Sequence, residues 1–403
     1  MVENLTSVKG IKCWGAYTGV KSMRRDLALI VSDEAANVSA VFTQNLVVAE
    51  PVKLAKKHIA NGKARVIVIN AGNANACTGK QGEEGAKAMV QAAAEAFEVE
   101  PEEVIIASTG VIGRAFPTED VVGGIKENAI KVTDDSKGGT FVANAIMTTD
   151  TFAKEGYLGF NIGGVDVNMA GIAKGSGMIH PNMATMLGFI VTDVNIEQPL
   201  LDKAFKTAIN RSFNMITVDG DTSTNDMAMV MATGKAGNTL IDDEHTADYQ
   251  LFAEKLEEMC IHLAKLIVSD GEGASKIIEY HVKGAPSEDA ARQVVRTISD
   301  SSLVKTAMFG RDPNWGRILA AAGRAGVPFD PDVVDLSLGS EEFKEPMIQN
   351  GQPLELDQNK MKRILRESAL FVELDLKNGD GESTGWGSDL TTDYVLFNAT
   401  YTT

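Results

Sequence analysis

Residues 171–192, GIAKGSGMIHPNMATMLGFIVT, hold the residue types best suited to acyl chemistry. Gly, Ser and Pro punctuate the first half, and Pro181-Asn182 is a turn signal. The second half, 185–191, is a short apolar run that reads as a strand buried on both faces. Thr185 thus stands where a tight turn hands over to a core strand. Held by a strained turn, its hydroxyl could attack the carbonyl of Ala184, a residue small enough to let the backbone twist. If the resulting ester hydrolyses, Thr185 becomes a new N-terminus whose α-amine can act as base for its own hydroxyl. With a pKa of about 7.7 to 8.0 such an amine is partly neutral at pH 7. From spacing alone the plainer account, a Thr that merely begins a core strand with its hydroxyl on backbone, stays open and is the commoner case.

A second group of residues could serve the same chemistry. Ser108-Thr109-Gly110-Val111-Ile112-Gly113 follows a strand, and N–H groups in a Gly turn with a Thr hydroxyl can form an oxyanion hole. An ordinary strand-to-loop turn is the alternative. Lys174 is the one formal charge in its stretch. His180, five residues before Thr185, could be a base or could pack and bond locally. Other patterns fail on inspection. The loop from Gly72 to Gly79 has Gln after Gly79-Lys80 where a phosphate loop needs Ser or Thr. Gly175 and Gly177 begin a dinucleotide fingerprint that ends on His180, with no clear strand before it. The run from Asp219 to Asp226 opens like a calcium loop but has Val230 in place of the closing Glu. A tight Asx-type turn explains it better. His58, His180, His245, His262 and His281 show no zinc spacing.

The elements that would position these residues alternate between strand and helix. Strands are expected over 27–32, 38–42, 65–70 and 104–108, with helices over 83–97 and 119–128. After the central strand come a helix over 199–211, a strand over 226–233 and a long helix over 247–268 whose apolar face is Leu251, Phe252, Leu256, Met259, Leu263 and Leu266. A second body begins near Tyr280. It holds a helix from Ser287, a plausible N-cap, to about Met308, a helix from about Ile318, a strand over 333–338, a helix near 359–367 and a strand over 371–376. The tail, DYVLFNATYTT, reads as a final strand that returns to the body. The alternation favours an α/β (α+β) layered fold.

The chain of 403 residues is long enough for two or three domains, and 44% hydrophobic with 23% charged residues describes a globular protein. A net charge of −17 argues against nucleic acid or an anionic membrane as partner. Three scattered cysteines imply neither a disulfide framework nor a CxxC metal site, which suits a reducing cytoplasm. No secretory signal and no membrane span are expected.

Beyond these local readings, NAGNANACTG, ASTGVIG, MTTDT, KGSGMIHPNMATML, TVDGDTSTND, DGEGASK, GRDPNWGR and NATYTT occur here in the order seen in one family. Over essentially its whole length the chain resembles the ornithine acetyltransferase family, the bifunctional glutamate N-acetyltransferase/amino-acid acetyltransferases of arginine biosynthesis. The resemblance implies self-cleavage between Ala184 and Thr185, giving an α chain (1–184) and a β chain (185–403), two of each in the assembled enzyme. It implies an α/β core made by both chains, completed by 185–280, and a smaller C-terminal domain over 281–403 whose tail, from about 386, returns to the active site. Thr185 would be the nucleophile that becomes acetylated. Thr109 and Gly110 match the oxyanion pair. Thr148, Lys174, Thr185, Glu272, Asn398 and Thr403 match substrate-binding positions. The donor would be N2-acetylornithine and the acceptor glutamate. Neither a metal nor an organic cofactor is implied, and acetyl-CoA could be a second donor. Lys174 suits a carboxylate, and Glu272 an ammonium. A Thr-nucleophile amidase or aminopeptidase of related fold is the alternative enzyme, and an uncleaved amino-acid-binding protein the alternative outside catalysis.

Overall fold

The computed structural model describes residues 3–180 and 186–400. In chain order the strands are β1 (Ile11–Ala16), β2 (Leu27–Phe42), β3 (Lys63–Asn73), β4 (Val104–Val111), β5 (Lys154–Ile162), β6 (Val165–Lys174), β7 (Leu187–Thr192), β8 (Ile216–Thr217) and β9 (Met227–Ala232). They continue with β10 (Ile277–Ala285), β11 (Asp335–Gly339), β12 (Lys344–Gln349), β13 (Gln352–Pro353), β14 (Ala369–Asp375) and β15 (Gly381–Ser388). The helices are α1 (Glu50–His58), α2 (Gly79–Phe97), α3 (Thr118–Asn128), α4 (Ser136–Ala145), α5 (Gln198–Arg211) and α6 (Ala247–Ser269). Beyond these lie α7 (Glu288–Ser299), α8 (Ser302–Gly310), α9 (Trp315–Gly323), α10 (Gln358–Ile364) and α11 (Thr392–Thr400). The expected α/β architecture is therefore present.

One sheet runs β4-β3-β2-β9-β7-β6-β5, with β1 beside β2. At its centre every residue of β7 and β9 is buried, the pattern expected of a strand covered on both faces. Phe189 and Met229 pack with Val142 of α4 and Ile146 at its end, on one face. Ile190 and Val230 meet Phe205 of α5 and Leu256 and Leu263 of α6 on the other. That second cluster continues through Tyr280, Val294 and Leu374 into the other sheet, ordered β13-β12-β11-β14-β10-β15-β8. Phe189 is fully buried, and truncating it to Ala would cost about 3 to 5 kcal/mol.

Several expectations need correction. The strands expected over 27–32 and 38–42 are one, β2, whose register against β3 shifts between Val31 and Ala36. Its first part pairs with β1 and its last with β9, so one long strand serves two neighbours. The helix expected from Ser287 to Met308 is two, α7 and α8, separated at Asp300 and Ser301. Ser287 does cap α7, accepting the Ala290 N–H. A strand, β6, does precede Gly175 directly. The tail is not a strand but the helix α11. Its Val, Leu and Phe suit a strand locally, yet the Thr391 hydroxyl accepts the Asp393 and Tyr394 N–H groups and starts a helix.

Candidate active site

The site gathers at one end of the central sheet. β7 lies between β6, antiparallel, and β9, parallel, with Lys174 and Met227 both in register with Leu187. Lys174 ends β6 and is 8% exposed. Burial lowers the pKa of its amine, opposed chiefly by the Asp150 charge.

Thr109 and Gly110 lie near the end of β4, beside Ala71 and Gly72 of β3. Gly110 has φ +129°, and a Cβ there would stand 2.3 Å from the Gly72 carbonyl carbon, so only glycine fits. Asn225 fixes this turn from the preceding loop of β9. Its side-chain amide donates to the carbonyls of Ala74, at 2.5 Å, and Ser108, at 2.8 Å. Its own oxygen accepts the Thr224 hydroxyl at 2.6 Å.

Beneath the cavity a buried ion triad joins three of the sequence motifs. Lys154 lies 2.6 Å from Asp150 and 2.6 Å from Asp270, and none of the three side chains is more than 3% exposed. Asp150 also accepts the N–H groups of Gly175, at 2.7 Å, and Thr148, at 2.9 Å. Burial alone would raise the Asp150 carboxyl; Lys174, Lys154 and the Gly175 N–H outweigh it and hold the pKa at about 2. Asp270 accepts the Thr151 N–H at 3.0 Å, and its backbone carbonyl accepts the Ser176 hydroxyl at 2.6 Å. MTTDT, KGSG and DGEG are thus held together by charge and hydrogen bonds in a site shielded from water. Lys21 adds a clamp from outside, donating to the carbonyls of Ala145 and Met147.

Glu272 follows α6. Its N–H donates to the Ser176 carbonyl at 2.9 Å, and its carboxylate accepts the Asn398 amide of α11 at 3.0 Å. Gly177 gives it room: a Cβ there would lie 2.3 to 2.5 Å from the carboxylate. Asp219 joins α11 to the turn after β6. It accepts the N–H groups of Met178 and Ile179 at 2.7 and 2.8 Å and the Tyr394 hydroxyl at 3.2 Å. Met178 is left-handed at φ +56°, a conformation a non-glycine residue keeps only where its surroundings impose it. The Asp221 N–H on Asp219 makes this loop the Asx turn expected from the sequence.

Thr109, Gly110, Thr148, Lys174, Glu272 and Asn398 all line one cavity of about 260 Å3, together with Met186 at the entry to β7. Ala184, Thr185 and Thr403 lie outside the described residues. His180, weighed above as a base, is differently employed. Its Nε2 faces the Arg296 guanidinium at 2.8 Å, and its Nδ1 faces the Thr217 hydroxyl at 3.0 Å. A guanidinium only donates, so Nε2 accepts and Nδ1 carries the proton. Burial, then the Arg296 charge, keeps the ring neutral. Both nitrogens are committed. Asn225, Tyr394, Asp150, Lys154 and Asp270 were not singled out from sequence. All but Lys154 and Tyr394 fall inside the quoted motifs, whose dense polar composition was the available signal.

The ArgJ family model matches residues 12–403. The arginine biosynthesis bifunctional protein ArgJ of Caldanaerobacter subterraneus subsp. tengcongensis is 50% identical over 395 residues, 98% of this chain and 97% of its own. That of Symbiobacterium thermophilum is 47% identical over 406 residues, 100% and 99% of the two chains. The solved structure of the arginine biosynthesis bifunctional protein argJ from Bacillus halodurans is 40% identical and superposes with a TM-score of 0.50, covering 53% of this chain and 98% of that one. No helix among the described residues is long and apolar enough to cross a membrane. Matched across nearly all of its length, the chain belongs to the ArgJ family and is an acetyltransferase enzyme.

Proposed function

We propose that this chain cleaves itself between Ala184 and Thr185 and then moves an acetyl group from N2-acetylornithine to glutamate through an acetyl-Thr185 intermediate. The observation that carries the proposal is the convergence of Thr109, Gly110, Thr148, Lys174, Glu272 and Asn398 on one cavity at the start of β7. The Thr185 α-amine takes the hydroxyl proton as Oγ attacks the acetyl carbonyl, and passes it to the leaving ornithine nitrogen. Thr109 and Gly110 receive the charge that develops on the carbonyl oxygen. Lys174 holds a carboxylate common to donor and acceptor, and Glu272 meets an ammonium or positions the reacting amine. Glutamate's amine then attacks the acetyl-enzyme. The word bifunctional in the relatives' names supports acetyl-CoA as a second donor to the same nucleophile. Two α and two β chains, in the cytoplasm, complete the proposal.

Intact mass under denaturing conditions tests it. Two fragments meeting at Ala184 and Thr185, absent in Thr185→Ala, are expected. The fragment that begins at Thr185 should gain one acetyl mass when mixed with N2-acetylornithine alone. A single chain, or no acetyl mass, counts against the proposal. Acetylornithine consumed steadily without glutamate would turn it toward the amidase alternative.

A further inference from the structure

The α-amine of Thr185 exists only after the bond before Thr185 has broken. Self-cleavage therefore needs its own proton donor, because an amide nitrogen leaves readily only once protonated. Asp226 stands one residue before the backbone partner of Met186, the first described residue after that bond. It immediately precedes β9, and the next residue, Met227, donates its N–H to the Met186 carbonyl at 3.0 Å. β7 and β9 run parallel, and Lys174 on β6 flanks Leu187 from the other side. The entry to β7 is thus bracketed by Lys174 and Asp226. Asp226 is 3% exposed and lines the cavity, and its Oδ2 has no hydrogen-bond partner among the described residues. An unpartnered buried carboxyl oxygen is costly and asks for a role. Burial holds this carboxyl well above its ordinary range; hydrogen bonding from Ser223 and the charge of Lys174, the one charged group acting on it among the described residues, offset this only in part.

We propose that Asp226 is the proton donor and relay of the self-cleavage step, an inference that rests on the cleavage proposed above. Thr185 Oγ forms a bond to the Ala184 carbonyl carbon, and the carbon–nitrogen bond breaks. The departing nitrogen keeps its own hydrogen and takes the Asp226 proton, becoming a neutral amine. The Thr185 hydroxyl proton passes to the Asp226 carboxylate just formed, restoring the acid. Water then adds its oxygen to the ester carbon, and the ester bond breaks. One water proton returns to Oγ; the other ends on the amine, leaving the Ala184 carboxylate and the Thr185 ammonium. Asp226 is unchanged over the cycle.

The test follows processing of the full-length chain made by cell-free translation, quenched at intervals and weighed intact from pH 6 to 9. Asp226→Asn keeps the shape but cannot give up a proton, so processing should slow at least about 100-fold. Asp226→Glu should retain part of the rate. Cleavage of the unmutated chain should slow as pH rises through the titration of Asp226, whereas the residual Asp226→Asn rate should not. Equal thermal midpoints for uncleaved Asp226→Asn and Thr185→Ala would show that the fold is intact. Processing of Asp226→Asn at the normal rate overturns the inference. If that variant misfolds, a normal-chain rate that rises with pH overturns it as well. An unmutated chain that never cleaves removes the cleavage proposal itself, a different result from either.

Discussion

The side-chain amide of Asn398 donates to the Glu272 carboxylate at 3.0 Å, joining the last helix to the turn that follows α6. No residue of α11 is buried, so the helix depends on such contacts: this one, the Tyr394 hydroxyl on Asp219, and the Thr391 hydroxyl on the Gly273 carbonyl. Asn398→Ala should raise KM about 3- to 10-fold with little change in melting temperature, since a single bond to a carboxylate near solvent contributes on the order of 1 kcal/mol. Steady-state kinetics beside a thermal melt checks this. A fall in stability with unchanged KM would mean the bond serves the fold instead.

Gly177 is required by space. An added methyl would press on the Glu272 carboxylate, the far end of a flexible side chain, so the side chain can swing away. Gly177→Ala should therefore cost under about 1 kcal/mol in unfolding while reducing kcat/KM by about tenfold or more, because Glu272 is displaced from its partner. Denaturant melts and initial rates on the same preparation separate the two effects. Normal rates would show that Glu272 has room to move without consequence.

Lys154 answers two buried carboxylates at once. Lys154→Met removes the shared cation and strands Asp150 and Asp270, which predicts a loss of about 3 to 5 kcal/mol in chemical denaturation. Restoring stability by adding Asp150→Asn to Lys154→Met would confirm that the uncompensated charge, rather than lost packing, is the cause.

Asp150 also sets an acid limit. Its folded pKa, about 2, lies below its ordinary value of 3.8. The stabilisation is therefore fully present above about pH 4 and is lost as pH falls from there toward 2. A shift of this size corresponds to about 2 kcal/mol. Asp150→Asn should be the less stable protein at pH 7, and its deficit should shrink across that window when unfolding is measured as a function of pH. A deficit that stays constant from pH 5 to 2 would rule out the linkage.

The sequence alone determined the family, through eight motifs in order, and the core elements whose local pattern and burial agree. β7 and β9 are short apolar runs buried on both faces, and α6 alternates buried and exposed residues at helical spacing, although Leu251 and Leu266 turn out only partly covered. Local signals of that kind depend on neighbours within one turn or one strand, so they survive in the linear string. The gathering of Thr109, Thr148, Lys174, Glu272 and Asn398 into one cavity was decided by the tertiary structure. So was the tail: its composition suits a strand, but its polar contacts to Asp219 and Glu272 fix a helix. Asp150, Lys154 and Asp270 show why. Lys154 and Asp270 are separated by 116 residues, and neither has a reason to be buried until the other is beside it. The same holds for Asn225, which meets carbonyls 151 and 117 residues away. Charge pairing and hydrogen bonding act through space, and only the folded chain brings those partners within reach.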